Sequence, residues 1–404
     1  MKKTALIRFF TSKVALLYMI SIASIIAFSA WMSLLNNFVV EAASFNGKQI
    51  GILQSLREIP GLMAFSVMLV LIFINQQRLV YISMILLGLG TALTGFFPTP
   101  AGLYITTVIM SFGFHYLETL NQSLSLQWLD KKTAPITLGK ISAVRSFIGL
   151  FVFILIYSLM KYLKVDYKYV YLIFGTTTVL IGILSWILFT HFKETVIQEK
   201  KIRLKKEYWL FYILTFFAGA RRQIFVVFAG FLLVKKFDVD IDNMIILLFI
   251  NSILTMYLAP KIGKMIVHFG ERLALRLEYI GLIIVFVSYA YVHNLYVIFA
   301  LYALDSLLFS MAIALKTYFQ KIADPKDMSS ASAVSFTINH IAAVFLPALL
   351  GLLWLNSYSL VFMIGAGIGV LSLMLSFLIP KDPQRDFETI FKINTQAVPN
   401  TIEG

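Results

Sequence analysis

Cysteine is absent from this 404-residue chain, and charged residues are scarce. Without cysteine the chain forms no disulfide and offers no thiolate to a metal ion. Only 13% of the residues are charged against 59% that are hydrophobic, and the mean hydropathy is +0.85. This composition is too apolar for a soluble protein of this length, so the sequence predicts a membrane protein.

Twelve apolar runs of membrane-spanning length alternate with short turns and charged segments. A helix needs about 20 apolar residues to cross the bilayer core. The first run is too long for a secretory signal and lacks a small-residue cleavage site, so we expect it to be retained. The predicted fold is an all-α polytopic membrane protein with twelve transmembrane helices.

A strongly basic segment in the middle of the chain divides these runs into two groups of six. The predicted parts are a six-helix half at 1–192, a linker at 193–207, a second six-helix half at 208–380 and a tail at 381–404. A short repeat supports this division, because Ser142-Ala-Val144 recurs as Ser332-Ala-Val334. The same offset places His115 on Asp305, which is expected if two parallel repeats form the protein.

Lysine and arginine are concentrated on the side of the membrane that carries both predicted termini and the linker, with an excess of about fourfold. Positive loops stay in the cytoplasm, so we expect cytoplasmic termini and a plasma membrane location, in a bacterial inner membrane. Topology then explains the net charge of +14 without a nucleic-acid partner.

The expected partners are the lipid bilayer, a small-molecule substrate and protons. A monomer without cofactor or bound metal is predicted.

The most specific motif follows the eighth apolar run and extends from Pro260 to Arg272. It resembles the signature loop of the major facilitator superfamily, in which glycines flank a charged turn that ends in Gly-x-Arg. The matching positions are Gly263, Lys264, Gly270, Glu271 and Arg272. The counterpart in the first half, Ile74–Arg78, is much reduced. The resemblance implies two six-helix halves, alternating access and a gating role for this loop. An ordinary tight basic loop remains the alternative.

Several apolar runs contain ionisable residues. A charge at membrane depth costs roughly 2.5–3.5 kcal/mol, so such groups are retained where they face each other or a wet cavity. Glu118 and Arg145 lie at similar depths in successive runs, as do Asp305 and His340, and His115 is one helical turn from Glu118. We predict that these five residues handle protons, with Asp305 as the main carrier. A packing pair or a metal site at His115 and Glu118 is the alternative.

A second set of polar residues is predicted to bind substrate: Arg57, Glu58, Arg221, Arg222, Gln223 and Asn251. An arginine fork at midspan suits a carboxylate or a phosphate, although at most one of two adjacent arginines faces a central cavity. Asn251 is equally suited to joining helices. We expect Lys316 to reach the membrane surface and Glu278 to lie beside the gating loop.

The predicted function is proton-coupled secondary transport of a small organic solute, with an anion or zwitterion favoured by the midspan arginines. The main alternative is proton-coupled efflux of amphipathic or cationic compounds, although the fourth and fifth runs lack the patterns of drug exporters. An intramembrane enzyme and a non-transporting receptor are remoter alternatives, and no enzymatic activity is expected. The sequence has no glycine-rich nucleotide loop, which argues against a direct drive by ATP.

Overall fold

The computed structural model describes residues 8–45, 47–193, 196–199, 201–202, 204–239, 241–354 and 356–391. Parts of the predicted linker (residues 194, 195, 200 and 203) and of the predicted tail (residues 392–404) lie outside these ranges. The described chain is a bundle of helices, as the composition predicts.

Six helices form the first half, and polar side chains begin several of them. They are α1 (Lys13–Glu41), α2 (Gly47–Leu62), α3 (Gln76–Thr94), α4 (Pro100–Trp128), α5 (Ala134–Lys161) and α6 (Tyr167–Leu188). The side chains of Ser12, Asn75 and Thr99 accept hydrogen bonds from the first turns of α1, α3 and α4. These bonds satisfy N–H groups that have no partner within the helix. Shortly after Pro60, α2 bends by 43° and continues to Val70.

Six further helices form the second half. They are α7 (Trp209–Gln223), α8 (Ile241–Phe269), α9 (Glu271–Tyr291), α10 (Leu295–Phe309), α11 (Met328–Trp354) and α12 (Tyr358–Ser376). Two of them are interrupted: α7 continues as a π-helix (Ile224–Ala229) and a last α-helical segment (Gly230–Phe237), and α10 resumes at Ile313–Ile322 after a 3-10 turn. Interruptions of this kind are common at functional sites of helical proteins.

Ten helices in the described residues are long and apolar enough to cross a membrane, and the bent α2 makes eleven. The remaining predicted span corresponds to α4, which at 29 residues is also long enough to cross. Its apolar character is weakened by His115, Glu118 and several serine, asparagine and glutamine residues. The prediction of an all-α polytopic fold is confirmed for the described residues.

Buried apolar side chains form two clusters, one for each half. Trp31 belongs to the first cluster and Tyr289 to the second, and both side chains are fully buried. The clusters approach each other at Leu126, which packs into the second cluster, and at Ala333, which packs into the first. Each half therefore has its own core, and the boundary between the halves is free to carry polar groups.

The predicted gating loop is mostly helix. Because α8 runs through Pro260, Gly263 and Lys264 to Phe269, the predicted extent of this loop is wrong. Apolar residues continue beyond Pro260 at helical spacing, which extends the helix by more than two turns. Only Gly270 separates α8 from α9, and its φ of 84° is one that side chains with a Cβ rarely adopt.

Two glycines bring the halves into backbone contact where α5 crosses α8. A Cβ atom on Gly263 would collide with the carbonyl oxygen of Pro135, and one on Gly139 would collide with that of Ala259. Small residues allow this close approach of helices in membranes. The crossing lies at the end of the bundle that carries the linker.

Candidate functional site

A line of polar residues along α4 faces the boundary between the halves. Ser111, His115, Glu118 and Gln122 follow one another at intervals of three or four residues, which places them on one side of the helix. Gln122 Nε2 donates a hydrogen bond of 3.1 Å to Ser335 Oγ on α11. This hydrogen bond crosses the boundary between the halves.

Near the middle of this line, Glu58 of α2, His115 of α4 and His340 of α11 converge; we call them the Glu–His–His cluster. A carboxylate oxygen of Glu58 and one ring nitrogen of each histidine lie within 4.8 Å of one another. Glu58 Oε2 is 4.0 Å from His340 Nε2, and the two imidazole centroids are 5.0 Å apart. Both halves therefore contribute to one buried polar centre.

Main-chain carbonyl groups set the orientation of both histidines. His115 Nδ1 lies 2.9 Å from the carbonyl oxygen of Ser111, and His340 Nδ1 lies 2.9 Å from that of Phe336. A carbonyl oxygen only accepts hydrogen bonds, so each Nδ1 carries the hydrogen and each neutral ring presents a lone pair at Nε2. Gly61 leaves room beside them, since a Cβ there would lie 2.7 Å from either Nε2.

Arg57 occupies the opposite side of the Glu58 carboxylate. Its Nε donates to Glu58 Oε1 at 3.1 Å, and its Nη2 donates to the same oxygen. Arg57 and Glu58 therefore form a local ion pair. Glu58 Oε2 is directed toward the histidines and completes the cluster.

The two adjacent arginines of α7 point to different places. Arg221 forms a buried ion pair with Glu278 of α9 inside the second half. Arg222 interacts electrostatically with all three members of the Glu–His–His cluster. Among the described residues, its Nε and Nη2 have no hydrogen-bond partner although both atoms are buried. Arg222 is thus the arginine at the boundary, and the prediction that Glu278 serves the gating loop is wrong, because it is the partner of Arg221.

The other two predicted substrate residues lie in α7 and α8. Gln223 is half-buried and ends the first segment of α7, directly before the π-helix. Asn251 is buried, and its Oδ1 accepts no hydrogen bond from the part of the chain that the structure describes.

Asp305 lies in the interior of the second half. It is only 1% exposed, and its Oδ2 has no hydrogen-bond partner within the described ranges. Its electrostatic neighbours are Arg221, Tyr289 and Tyr302. The predicted contact between Asp305 and His340 is wrong: His340 turns toward the first half, since a matching depth does not determine the direction of a side chain.

The predicted contact between Glu118 and Arg145 is confirmed. Arg145 Nη1 donates to Glu118 Oε1 at 2.8 Å, and Ser24 Oγ donates to the same oxygen at 2.6 Å. His115 is not part of this network, because its Nδ1 bonds to α4 itself.

Lys316, expected at the membrane surface, interacts electrostatically with Glu118 and Arg145 instead. Lys316 is a candidate functional residue that the sequence analysis did not identify. Its position between apolar residues of the tenth run could have indicated a buried role.

Side chains and carbonyl groups close the boundary at the linker end. Gln320 Nε2 donates to the carbonyl oxygen of Leu129 at 2.7 Å, and Ser123 Oγ on α4 donates to Ser329 Oγ on α11 at 3.1 Å. The linker joins this layer through Gln198, whose Oε1 accepts from the backbone N–H and the hydroxyl of Ser329. The halves and the linker are therefore tied together at this end.

The predicted gating residues lie beside the same closed end. Glu271 Oε2 accepts a hydrogen bond of 2.7 Å from Lys321 Nζ. Lys264 is exposed and Arg272 is half-buried. Among the described residues Arg272 forms no ion pair with a carboxylate, and the Glu271–Lys321 ion pair joins α9 to α10 at this end.

Two helical halves with buried ionisable groups along their shared boundary are the architecture of a membrane transporter. The chain belongs to the Major Facilitator Superfamily, because the model of that family matches residues 68–347 and, in an overlapping second match, residues 211–399. The family indicates a transporter rather than an enzyme, and it agrees with the resemblance drawn from the motif at 260–272.

Solved structures of the same superfamily share the fold. The human organic anion transporter MFSD10 (TETRAN) has a TM-score of 0.71 and 11% identity, covering 90% of this chain and 98% of its own. The transporter FucP in its outward conformation has a TM-score of 0.74 and 13% identity, covering 91% and 98%. No curated protein matches the chain in sequence.

Proposed function

We propose that this chain is a proton-coupled secondary transporter that moves a small anionic or zwitterionic organic solute by alternating access. The observation that carries the proposal is the guanidinium of Arg222, whose buried Nε and Nη2 have no partner in the described part of the chain. The solute binds beside Arg222 at the boundary between the halves.

An anion is the ligand that satisfies this guanidinium. A buried donor without a partner costs about 1–3 kcal/mol, and more when it is charged. A planar guanidinium fork matches the two oxygens of a carboxylate or phosphate. With both histidines neutral, Arg57, Glu58 and Arg222 leave one positive charge at the centre, which a monoanion balances. The structural neighbour MFSD10 is an organic anion transporter, which agrees with this class.

Proton coupling is supported by the charges inside the second half. Glu278 and Asp305 are two buried carboxyl groups that share one guanidinium, that of Arg221. A second unbalanced negative charge at this depth is expensive, and one proton removes it. Asp305 is the better carrier, because Glu278 is held in the ion pair. Glu118 and the two cluster histidines are the further proton sites.

The closed end of the boundary is assigned to the cytoplasm. This assignment follows from the excess of lysine and arginine on the side of the linker and both termini. The membrane in this proposal is a plasma membrane of the bacterial inner-membrane type. The halves 1–192 and 208–380 then rock about the boundary as units within a monomer. On this assignment, the hydrogen bonds of Gln320 and Ser123 close the pathway on its cytoplasmic side.

A binding screen tests the proposal. The purified protein is heated with panels of carboxylates, phosphates and cationic drugs, since a ligand of the native state raises the unfolding temperature. A stabilising anion should bind roughly 10- to 100-fold more weakly to Arg222→Gln. Arg222→Lys should recover only part of this affinity, because lysine keeps the charge but lacks the planar fork. Arg78→Gln, at an exposed arginine, is the matched control. Stabilisation by cationic compounds alone, or anion binding that survives in Arg222→Gln, would exclude this function.

A further inference from the structure

We propose that the Glu–His–His cluster binds a protonated amine, so that the transported solute carries both an amine and a carboxylate. This inference rests on the proposed function, because Arg222 is the partner of the carboxylate. The cluster supplies three acceptors for the three N–H donors of one ammonium group: Glu58 Oε2, His115 Nε2 and His340 Nε2.

The acceptors are free and held in place. Within the described ranges neither Nε2 takes part in a hydrogen bond, and the histidines are 4% and 3% exposed. Each Nδ1 is bound to the backbone of its own helix, which directs Nε2 away from it. Phe336 stacks on His340 with centroids 4.7 Å apart and an interplanar angle of 24°, which further restrains that ring. Gly61 allows both imidazole rings to approach the backbone of α2, because a Cβ there would lie 2.7 Å from each Nε2.

The spacing of the acceptors can be compared with the spacings that an ammonium group and a metal ion require. Acceptors at about 2.9 Å from a tetrahedral nitrogen lie about 4.7 Å from one another. Ligands at about 2.1 Å from a tetrahedral zinc ion lie only about 3.4 Å apart. In the cluster, one ligand atom from each residue lies within 4.8 Å of the other two, and Glu58 Oε2 is 4.0 Å from His340 Nε2. This separation lies between the two values, so a small adjustment of the side chains admits either ligand, and charge distinguishes the two.

Charge disfavours a divalent metal ion at the cluster. Arg57 is bonded to Glu58, and Arg222 lies within electrostatic range of the whole cluster. A divalent cation would add two positive charges beside these two arginines. A solute with one amine and one carboxylate adds no net charge, and its carboxylate neutralises Arg222. The two sites together thus select a zwitterion over a bare cation.

The experiment compares matched ligands on the purified full-length protein. The probes are the standard amino acids and the ω-amino acids from 3-aminopropanoate to 6-aminohexanoate, each beside its N-acetyl derivative, with Zn²⁺ alone as a separate arm. At least one amino acid should bind 10-fold or more tightly than its N-acetyl partner. His115→Phe and His340→Phe should abolish this preference, so that the amino acid and its N-acetyl partner bind about equally. His191→Phe, at an exposed histidine outside the cluster, should keep it.

The controls separate this proposal from the function on which it rests. His340→Gln retains an acceptor oxygen and should keep part of the preference, and it replaces His340→Phe if that variant does not fold. Equal binding of amines and N-acetyl derivatives, with both dependent on Arg222, overturns the amine site but leaves anion transport intact. Tight Zn²⁺ binding that requires both histidines overturns it in favour of a metal. If no carboxylate binds at all, both proposals fail.

Discussion

Arg221 and Arg222 are chemically identical, yet their surroundings give them different roles. Successive residues of an α-helix are about 100° apart around its axis, so the two side chains leave α7 in different directions. Arg221 meets Glu278 inside the second half, and Arg222 reaches the cluster at the boundary. The first arginine is held by protein, and the second has donors available to a ligand.

The two arginines should therefore respond differently to the same substitution. Arg221→Gln leaves Glu278 without its partner and should lower the stability by about 3–5 kcal/mol, as expected when one member of a buried ion pair is removed. Arg222→Gln removes a guanidinium whose Nε and Nη2 have no hydrogen-bond partner among the described residues, and it should leave the unfolding temperature nearly unchanged. Thermal unfolding in detergent measures both effects, and the double variant Arg221→Gln/Glu278→Gln should recover most of the loss. Equal destabilisation by both single variants would contradict the different roles.

Asp305→Asn should separate coupling from movement of the solute. The amide has nearly the same shape as the carboxyl group but takes up no proton in this range, so uphill accumulation should fall at least tenfold. Exchange of labelled solute across the membrane should persist, because Asp305 lies away from the boundary. Asp305→Glu is the control and should retain part of the uphill transport. If Asp305→Asn accumulates solute like the unaltered protein, Asp305 is not the carrier.

At the scale of helices, the closed end depends on how near α4 and α5 come to α8, α10 and α11. Gly139 and Gly263 allow backbone contact between α5 and α8, and the serine pair Ser123 and Ser329 joins α4 to α11. The same end must separate when the transporter opens toward the linker. Small residues and single hydrogen bonds suit a contact that forms and breaks repeatedly.

A cross-link at this end should stop transport. The chain has no cysteine, so Ser123→Cys/Ser329→Cys places two isolated thiols where the hydroxyl oxygens are 3.1 Å apart. Oxidation should form a disulfide and abolish transport, and reduction should restore it. Ser123→Cys alone, treated in the same way, is the control. Full transport after complete cross-linking would show that this end need not open.

Much of this arrangement follows from local sequence patterns, and the remainder depends on packing. Apolar runs predict the helices, and depth along consecutive helices predicts the contact between Glu118 and Arg145. Depth alone fails for Asp305 and His340, because rotation of each helix about its axis decides which neighbour a side chain meets. The meeting of Glu58 with His115 and His340 joins three helices from two halves, and no spacing in the sequence encodes that docking.

At the scale of the whole molecule, the assignment of sides is the simplest prediction to test. Lys132 and Lys164 are both exposed in loops, before and after α5. With the linker in the cytoplasm, Lys164→Cys should react with an impermeant thiol reagent added to intact cells. Lys132→Cys should react only after the cells are permeabilised. The reverse pattern would invert the topology and place the closed end outside.

The central claim is that a proton gradient moves an anionic or zwitterionic solute through the site at Arg222. Its most direct test is uptake into proteoliposomes of the best ligand from the binding screen, with a pH gradient imposed across the membrane. The account predicts accumulation above the external concentration, loss of that accumulation with a protonophore, and at least a tenfold reduction in Arg222→Gln. Accumulation that ignores the protonophore and follows a sodium gradient, or that persists in Arg222→Gln, would contradict it.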